Sequence, residues 1–324
     1  MNPNAYLVKD ILKPEQKATR DGYGDGLILA GEKNKDVVVL CADLTESTRS
    51  LAFQKKFPER FVELGVAEQN LASVAAGMAV AGKIPFISSY ATFSPGRNNE
   101  QIRTTICYNE ANVKIAGAHA GISVGPDGAT HQALEDIGLM RMMPNMTVVV
   151  PCDYEEAKKA TIASAELVVP VYLRFTREKS PMITTSHTPF KIGRAEVFKD
   201  GKDVVIFGCG PLIYNAIKVA IELEKENIQV AVINVHTVKP LDKDTILKYV
   251  HNTRAVVSVE EHQTHGGLGS AIAELLAKEM PVPMEFIGVN DRFGESGKPE
   301  ELIEKYGMGV ESIKQAVKKV LSRK

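Results

Sequence analysis

TVVVPCDYEEAKKATIASAELVVPVYLRF, residues 147–175, decides the fold class. It opens on a β-branched run and then meets Asp153, with Glu156 three residues on, the spacing of a helix capping box. It closes on a second β-rich run, VYLRF at 171–175. A strand, a capped helix and another strand at these lengths read as α/β with a mainly parallel sheet.

The same alternation extends in both directions. Upstream, VVVLC (37–41) precedes a helix from about Ala67, and IPFISS (84–89) precedes a helix near 98–109. VKIAGA (113–118) precedes a Gly-rich loop and a helix near 131–141. Downstream, EKSPMITTSHTPFKIG (178–193) loses periodicity and gathers Pro, Ser and Thr, so a linker is predicted there. A second alternation follows: DVVIFG (203–208), QVAVINV (229–235), AVVSVE (255–260) and MEFIGV (284–289), with helices between them. VESIKQAVKKVLSR (310–323) ends the chain as an amphipathic helix. The expected organisation is two α/β domains, 1–185 and 186–324, each a mainly parallel sheet flanked by helices.

With 324 residues, 44% hydrophobic and 24% charged, the chain can bury two cores. A net charge of −1 with no basic block argues against nucleic acid. No signal-peptide core is seen, and no uncharged run reaches the roughly 18 residues that a membrane span needs. Four scattered cysteines without CxxC spacing fit reduced thiols in a cytoplasmic protein.

Several motifs resemble chemistry. GCG at 208–210 lacks the third glycine of a dinucleotide loop and reads as a tight turn. GDG at 24–26 lies within what looks like an opening helix, which leaves this chain without the usual diphosphate and metal motif. His262 and His265 have HxxH spacing, but the glycines after them favour a turn, with a domain-interface role open. In GISVGPDGATHQALED (121–136), Asp127 and His131 lie on a Gly-rich loop just after His119, a group suited to an anion or a sugar. In FVELGVAEQNLASVAAGMAVAG (61–82), Glu68 heads a run with no charge before Lys83. The helix dipole alone can account for it, and so can a functional role.

Taken together, ADLTESTRS (42–50), ELGVAEQN (63–70), SSYATFS (88–94), GPDGATHQALED (125–136), MPNMTVVVPCD (143–153), RFTREKSP (174–181) and DRFGESGKPEEL (291–302) resemble the C-terminal half of transketolase. The resemblance covers the chain from about Arg20 onward. It implies a thiamine-diphosphate-binding fold, the pyrimidine-binding domain, followed by a transketolase C-terminal domain, as one subunit of a split transketolase.

The resemblance also implies roles. Glu68 would meet N1′ of the aminopyrimidine of thiamine diphosphate and favour the imino form of its 4′-amino group, which takes the proton from thiazolium C2. Burial of that carboxylate would help it hold the proton. Tyr90 and Phe93 match the pyrimidine pocket, whose third aromatic would fall near Gly96 or Arg97. Asp43 matches an aspartate near the cofactor. His119, Asp127 and His131 match residues that meet the sugar near its reacting carbon, with His119 and His131 catalytic. Arg20, Ser47 and Arg177 match the holders of the sugar phosphate, for which guanidinium forks are suited.

No metal ligand is expected in this chain: Mg²⁺ would be held mainly by an N-terminal partner subunit carrying GDG…N. The implied activity moves a two-carbon ketol unit between sugar phosphates, in a heterotetramer built on a homodimer of this chain. The alternatives are the β subunit of a 2-oxo acid dehydrogenase decarboxylase, a deoxyxylulose-phosphate-synthase-like half, or a non-catalytic assembly subunit. AEQ (67–69) also occurs in the first two, and Ala129 stands where the family has proline.

Overall fold

The computed structural model describes all 324 residues. Thr147–Val149 and Val171–Arg174 pair in parallel, and helix Tyr154–Glu166 connects them. Asp153 caps that helix by accepting the Glu156 N–H at 3.0 Å. Glu156 reaches back one residue further than a capping box does, accepting from the Cys152 N–H at 2.6 Å. Asn234, from the second half of the chain, donates to the same carboxylate at 2.7 Å. Burial holds Glu156 up at about 7, so this carboxyl serves as an internal fastener between the two halves.

The first sheet has seven strands, in the order Thr237–Lys239, Thr147–Val149, Val171–Arg174, Lys114–Ala118, Ile84–Tyr90, Val37–Cys41 and Phe61–Glu63. All neighbours are parallel except Thr237–Lys239, which arrives from the second half of the chain and runs antiparallel. Every residue of Val37–Cys41, Lys114–Ala118 and Val171–Arg174 is buried, as a parallel sheet covered on both faces requires. The second sheet has five strands, ordered Met284–Val289, Val256–Gln263, Val204–Gly208, Val230–Asn234 and Glu196–Lys199, the last antiparallel. The architecture is α/β: two mainly parallel sheets flanked by helices.

Segment 178–193 is held by polar contacts rather than by a buried stripe, which is why its periodicity lapses. Lys179–Pro181 pairs antiparallel with Gln16–Ala18. Asp153 accepts the N–H groups of Ile183 and Thr184 at 2.8 and 2.6 Å. Lys159 donates to the carbonyls of Thr185 and Thr188.

Three local expectations change. The helix near 98–109 is a short turn, Asn99–Gln101, running into a π-helical stretch, Ile102–Cys107. There the N–H groups of Tyr108 and Ala111 reach five residues back. The helix near 131–141 starts only at Asp136, because Gln132 is drawn away to the carbonyls of Ile122 and Glu295. The apolar run after Glu68 is not buried all round. Leu71, Ala72, Ala75 and Ala76 face the core, whereas Val80 is 77% exposed.

GDG lies inside helix Thr19–Lys33, and Asp25 accepts the Tyr154 hydroxyl. At Gly22 a Cβ would stand 2.2 Å from the Tyr154 carbonyl oxygen, so glycine lets helix Tyr154–Glu166 cross closely. His262 lies at the end of strand Val256–Gln263, not in the turn expected there. Its Nε2 accepts the Gly138 N–H at 3.2 Å, and its Nδ1 faces the Gln263 carbonyl at 2.8 Å. Nε2 is therefore engaged across the domain interface and Nδ1 within its own strand, while His265 is exposed. The GCG turn passes Gly210 at φ +67° into helix Ile213–Glu224.

Candidate active site

The candidate residues converge at the carboxyl ends of the parallel strands, where open α/β sheets place their ligands. Tyr90 ends strand Ile84–Tyr90, His119 follows Lys114–Ala118, and Arg177 lies three residues beyond Arg174. Glu68 is the first residue of helix Glu68–Val80.

An aromatic cluster forms the floor. The rings of Tyr90 and Phe93 lie 6.0 Å apart at 22°. His119 stacks on Tyr90 at 4.1 Å, and His131 stands edge-on to Phe93 at 5.5 Å. His131 Nδ1 is 2.9 Å from the Thr130 hydroxyl. The Arg97 guanidinium covers the Phe93 ring at 4.4 Å and places Nη1 3.6 Å from Glu68 Oε2. The Glu68 side chain is only 5% exposed, and Asn98 donates to the Glu68 carbonyl at 3.0 Å. Of the two positions considered for a third wall, Arg97 is the one that turns onto Phe93. Gly96 is kept small because a Cβ there would meet the Thr92 carbonyl oxygen at 2.0 Å.

His119 sits in the left-handed region at φ 52° and is buried. Such backbone in a non-glycine residue is strained and concentrates at functional sites. Arg20 Nη1 lies 2.9 Å from His119 Nε2 and 3.1 Å from the Ser47 carbonyl. Burial, then the charges of Arg20 and Arg177, hold the imidazole down at about 3, so it is neutral at ordinary pH. Guanidinium only donates, so Nε2 accepts and the proton resides on Nδ1. That Nδ1 and Arg20 Nε are both buried without a partner.

Arg177 Nη1 donates to the Val124 carbonyl at 3.1 Å and lies 3.3 Å from Asp127 Oδ1, joining the clamp to the Gly-rich loop. Ser47 enters this network through its carbonyl rather than its hydroxyl. Asp43 stands apart, exposed at φ 57°, with its N–H on Glu63 Oε1 at 2.7 Å. A third arginine, Arg49, joins this network. Arg49, at φ 67°, pairs with Asp21 at 2.7 Å, and its charge lowers the Arg20 guanidinium after burial does. Its place inside ADLTESTRS was the available signal.

The residues fit thiamine diphosphate and a sugar phosphate. A buried carboxylate lies beside stacked rings, and unpartnered donors on His119 and Arg20 point to missing acceptors. No group of three or more His, Cys, Asp or Glu side chains is arranged to hold a metal. The four cysteines are free and buried, and no helix is long and apolar enough to cross a membrane.

Residues 15–182 match the transketolase pyrimidine-binding domain family, and residues 193–313 match the transketolase C-terminal domain family. The chain is 42% identical to a putative transketolase C-terminal section of Methanocaldococcus jannaschii, over 93% of this chain and 95% of that one. It is 38% identical to a 6-deoxy-6-sulfo-D-fructose transketolase subunit of a Clostridium species, over 97% of each. A solved split-gene transketolase, described as an inactive β4 tetramer, superposes with a TM-score of 0.89 at 46% identity, covering 95% of this chain and 99% of that one.

Proposed function

The chain belongs to the transketolase family as a C-terminal subunit of the split kind, and from that premise we propose that its site transfers a two-carbon ketol unit from a ketose phosphate to an aldose phosphate. The observation that carries the proposal is the neutral His119. It is fixed by Arg20, stacked on Tyr90, and left with an unpartnered Nδ1.

When bound, thiamine diphosphate supplies the carbanion that breaks and remakes a bond next to a carbonyl. Each residue of this chain then has a task. Glu68 holds a proton with the pyrimidine nitrogen. Tyr90 and Phe93 support the ring, and Arg97 takes the third wall, where a guanidinium over a ring is an effective substitute for an aromatic. Asp43, which stands apart from this cluster, would approach the cofactor only once the partner subunit brings it. His119 donates from Nδ1 to an oxygen near the reacting carbon, a contact that strengthens as charge develops there. His131 and Asp127 meet the sugar hydroxyls. Arg20, Arg177 and Ser47 hold the phosphate, with Arg49 behind Arg20.

The diphosphate and Mg²⁺ would be held by an N-terminal partner subunit carrying GDG…N, two copies of each subunit forming a heterotetramer around a homodimer of this chain. We place the domain boundary near 185 and the protein in the cytoplasm. A 2-oxo acid decarboxylase would have no use for the arginine clamp.

The test is a mixing assay. Neither this chain nor the partner alone should turn over xylulose 5-phosphate with ribose 5-phosphate, and the mixture with thiamine diphosphate and Mg²⁺ should. Turnover by this chain alone would sink the split reading.

A further inference from the structure

The run Glu260–Gln263 closes the second domain against the first. Glu260 caps helix Leu268–Glu279 by accepting the Leu268 and Gly269 N–H groups, each at 2.8 Å. His262 takes the Gly138 N–H, and Gln263 donates its own N–H to the Leu134 carbonyl at 2.8 Å. Glu261 does something different. It is buried, and its Oε1 accepts the Ser123 N–H at 2.6 Å across the interface. The same oxygen would lie 2.3 Å from a Cβ on Gly121, where φ is +92°. Glycine there lets the carboxylate reach the loop backbone.

The rest of the loop is gripped from the same side. Gln132 Nε2 donates to the Glu295 carbonyl at 2.9 Å. A Cβ on Gly128 would meet Ser296 Oγ at 2.6 Å, and one on Gly125 would meet the Gly297 carbonyl at 3.1 Å. Arg174 ties the clamp back to the first domain, donating to the Glu261 carbonyl at 2.8 Å and to Asp136 Oδ2 at 2.8 Å. Loop 119–131 thus lies between the first sheet and a seat made by the second domain.

We propose that Glu261 is a positioning residue: through the Ser123 N–H it holds loop 119–131 so that His119, Asp127 and His131 face the substrate. This gives the C-terminal domain a part in substrate binding besides any part in assembly. It rests on the reading of those three residues as sugar-facing. The chemistry is specific, since a charged acceptor on a buried backbone N–H is a strong bond whose loss leaves the donor orphaned.

The test has two arms. In the first, hydrogen exchange is measured on the full chain, with no substrate involved. Glu261→Ala should speed exchange across 119–131 about tenfold or more, the loss of one charge-assisted bond, with strands Val37–Cys41 and Val204–Gly208 unchanged. Glu261→Gln, whose amide oxygen still accepts from Ser123, should stay near wild type. If Glu261→Ala does not fold, Glu261→Met keeps the length of the side chain without the acceptor and should give the same result. Wild-type exchange in the loop, or uniform loosening of the whole chain, overturns the proposal.

In the second arm, on the two-subunit enzyme, Glu261→Ala should raise KM for the sugar phosphate about tenfold and lower kcat, since His119 lies in the same loop, while cofactor affinity changes little. A looser loop with unchanged KM overturns the positioning role. If His131→Ala is then also silent, the sugar-facing reading itself has failed, and the loop exchange tells the two failures apart.

Discussion

Arg20 holds His119 in one tautomer. The guanidinium N–H lies 2.9 Å from Nε2, so the imidazole is neutral, with its proton on an Nδ1 that has no partner in the fold. Burial and the arginine charges keep its titration at about 3, below the usual value of 6.5. A group whose folded value is depressed adds stability that is complete above its unfolded value and is lost as the pH falls toward the folded one. His119 should therefore cost stability between pH 6.5 and about 3, with a slope approaching 1.4 kcal/mol per pH unit, that of one proton. The check is the stability of wild type and His119→Gln against pH. His236 is depressed to about 3 as well and remains in both proteins, so the difference isolates His119. Parallel curves would refute the assignment.

The proposed phosphate clamp makes a prediction about substrates. Arg177 touches Asp127 and the Val124 carbonyl, and its charge reaches both Arg20 and His119. Arg177→Ala should raise KM for a sugar phosphate by roughly 10–100-fold, the loss of one charge-assisted contact. It should leave an unphosphorylated ketose almost unaffected. Steady-state kinetics with both substrates decides, and an equal loss on the two would remove Arg177 from the clamp.

Much of the fold is legible in the sequence because its central strands are buried on both faces. VVVLC reads as an unbroken apolar run for that reason, as do IAGA after Lys114 and VYL before Arg174. GDG was legible as helix because the pattern around it is helical. What stayed hidden depends on distant partners. Gln132 delays the helix to Asp136 by bonding Glu295, 163 residues away, and Glu261 finds Ser123 across 138 residues. No local propensity records such pairs. Arg97 illustrates the middle case: the position was marked by a missing aromatic, but only its stacking on Phe93 and its reach to Glu68 give it a task.

That task is testable. With its side chain 54% exposed, Arg97 contributes little to the core, so its replacement should not unfold the chain. A guanidinium over an aromatic face is worth about 0.5–2 kcal/mol. Arg97→Ala should then weaken thiamine diphosphate binding by the two-subunit enzyme about 3–30-fold. Arg97→Phe should recover part of the loss by supplying the aromatic. Calorimetric titration of cofactor separates these, and unchanged affinity in Arg97→Ala would deny it the wall.

Two glycines should respond in opposite directions. Gly22→Ala drives a Cβ to 2.2 Å from the Tyr154 carbonyl oxygen, a backbone atom that cannot swing aside. The helices Thr19–Lys33 and Tyr154–Glu166 must part, at a cost of about 1–3 kcal/mol. Gly77, inside helix Glu68–Val80, has nothing within 4 Å of the corresponding point. Gly77→Ala should stabilise the isolated chain by about 0.5–1 kcal/mol through helix propensity. Thermal unfolding of the pair tests the packing. A stable Gly22→Ala protein would mean that the helix crossing is looser than the structure places it.

Glu68 carries the last prediction. Its side chain is buried at a helix start, with Arg97 as the charge facing it. A plain helix-capping carboxylate would be replaceable: Glu68→Gln keeps the size and one polar oxygen, and the dipole contribution it forgoes is only about 0.3–1 kcal/mol. Folding and assembly with the partner should therefore survive. Proton exchange with a pyrimidine nitrogen should not, because a carboxamide neither takes up nor releases a proton near neutral pH. Turnover by the mixed subunits should fall at least about 100-fold, in the range that a proton-transfer group contributes. Native mass measurement and the thermal midpoint establish that the assembly is intact, and deuterium exchange at thiazolium C2 reports the proton step directly. Normal C2 exchange in an assembled Glu68→Gln enzyme would return Glu68 to the helix dipole alone.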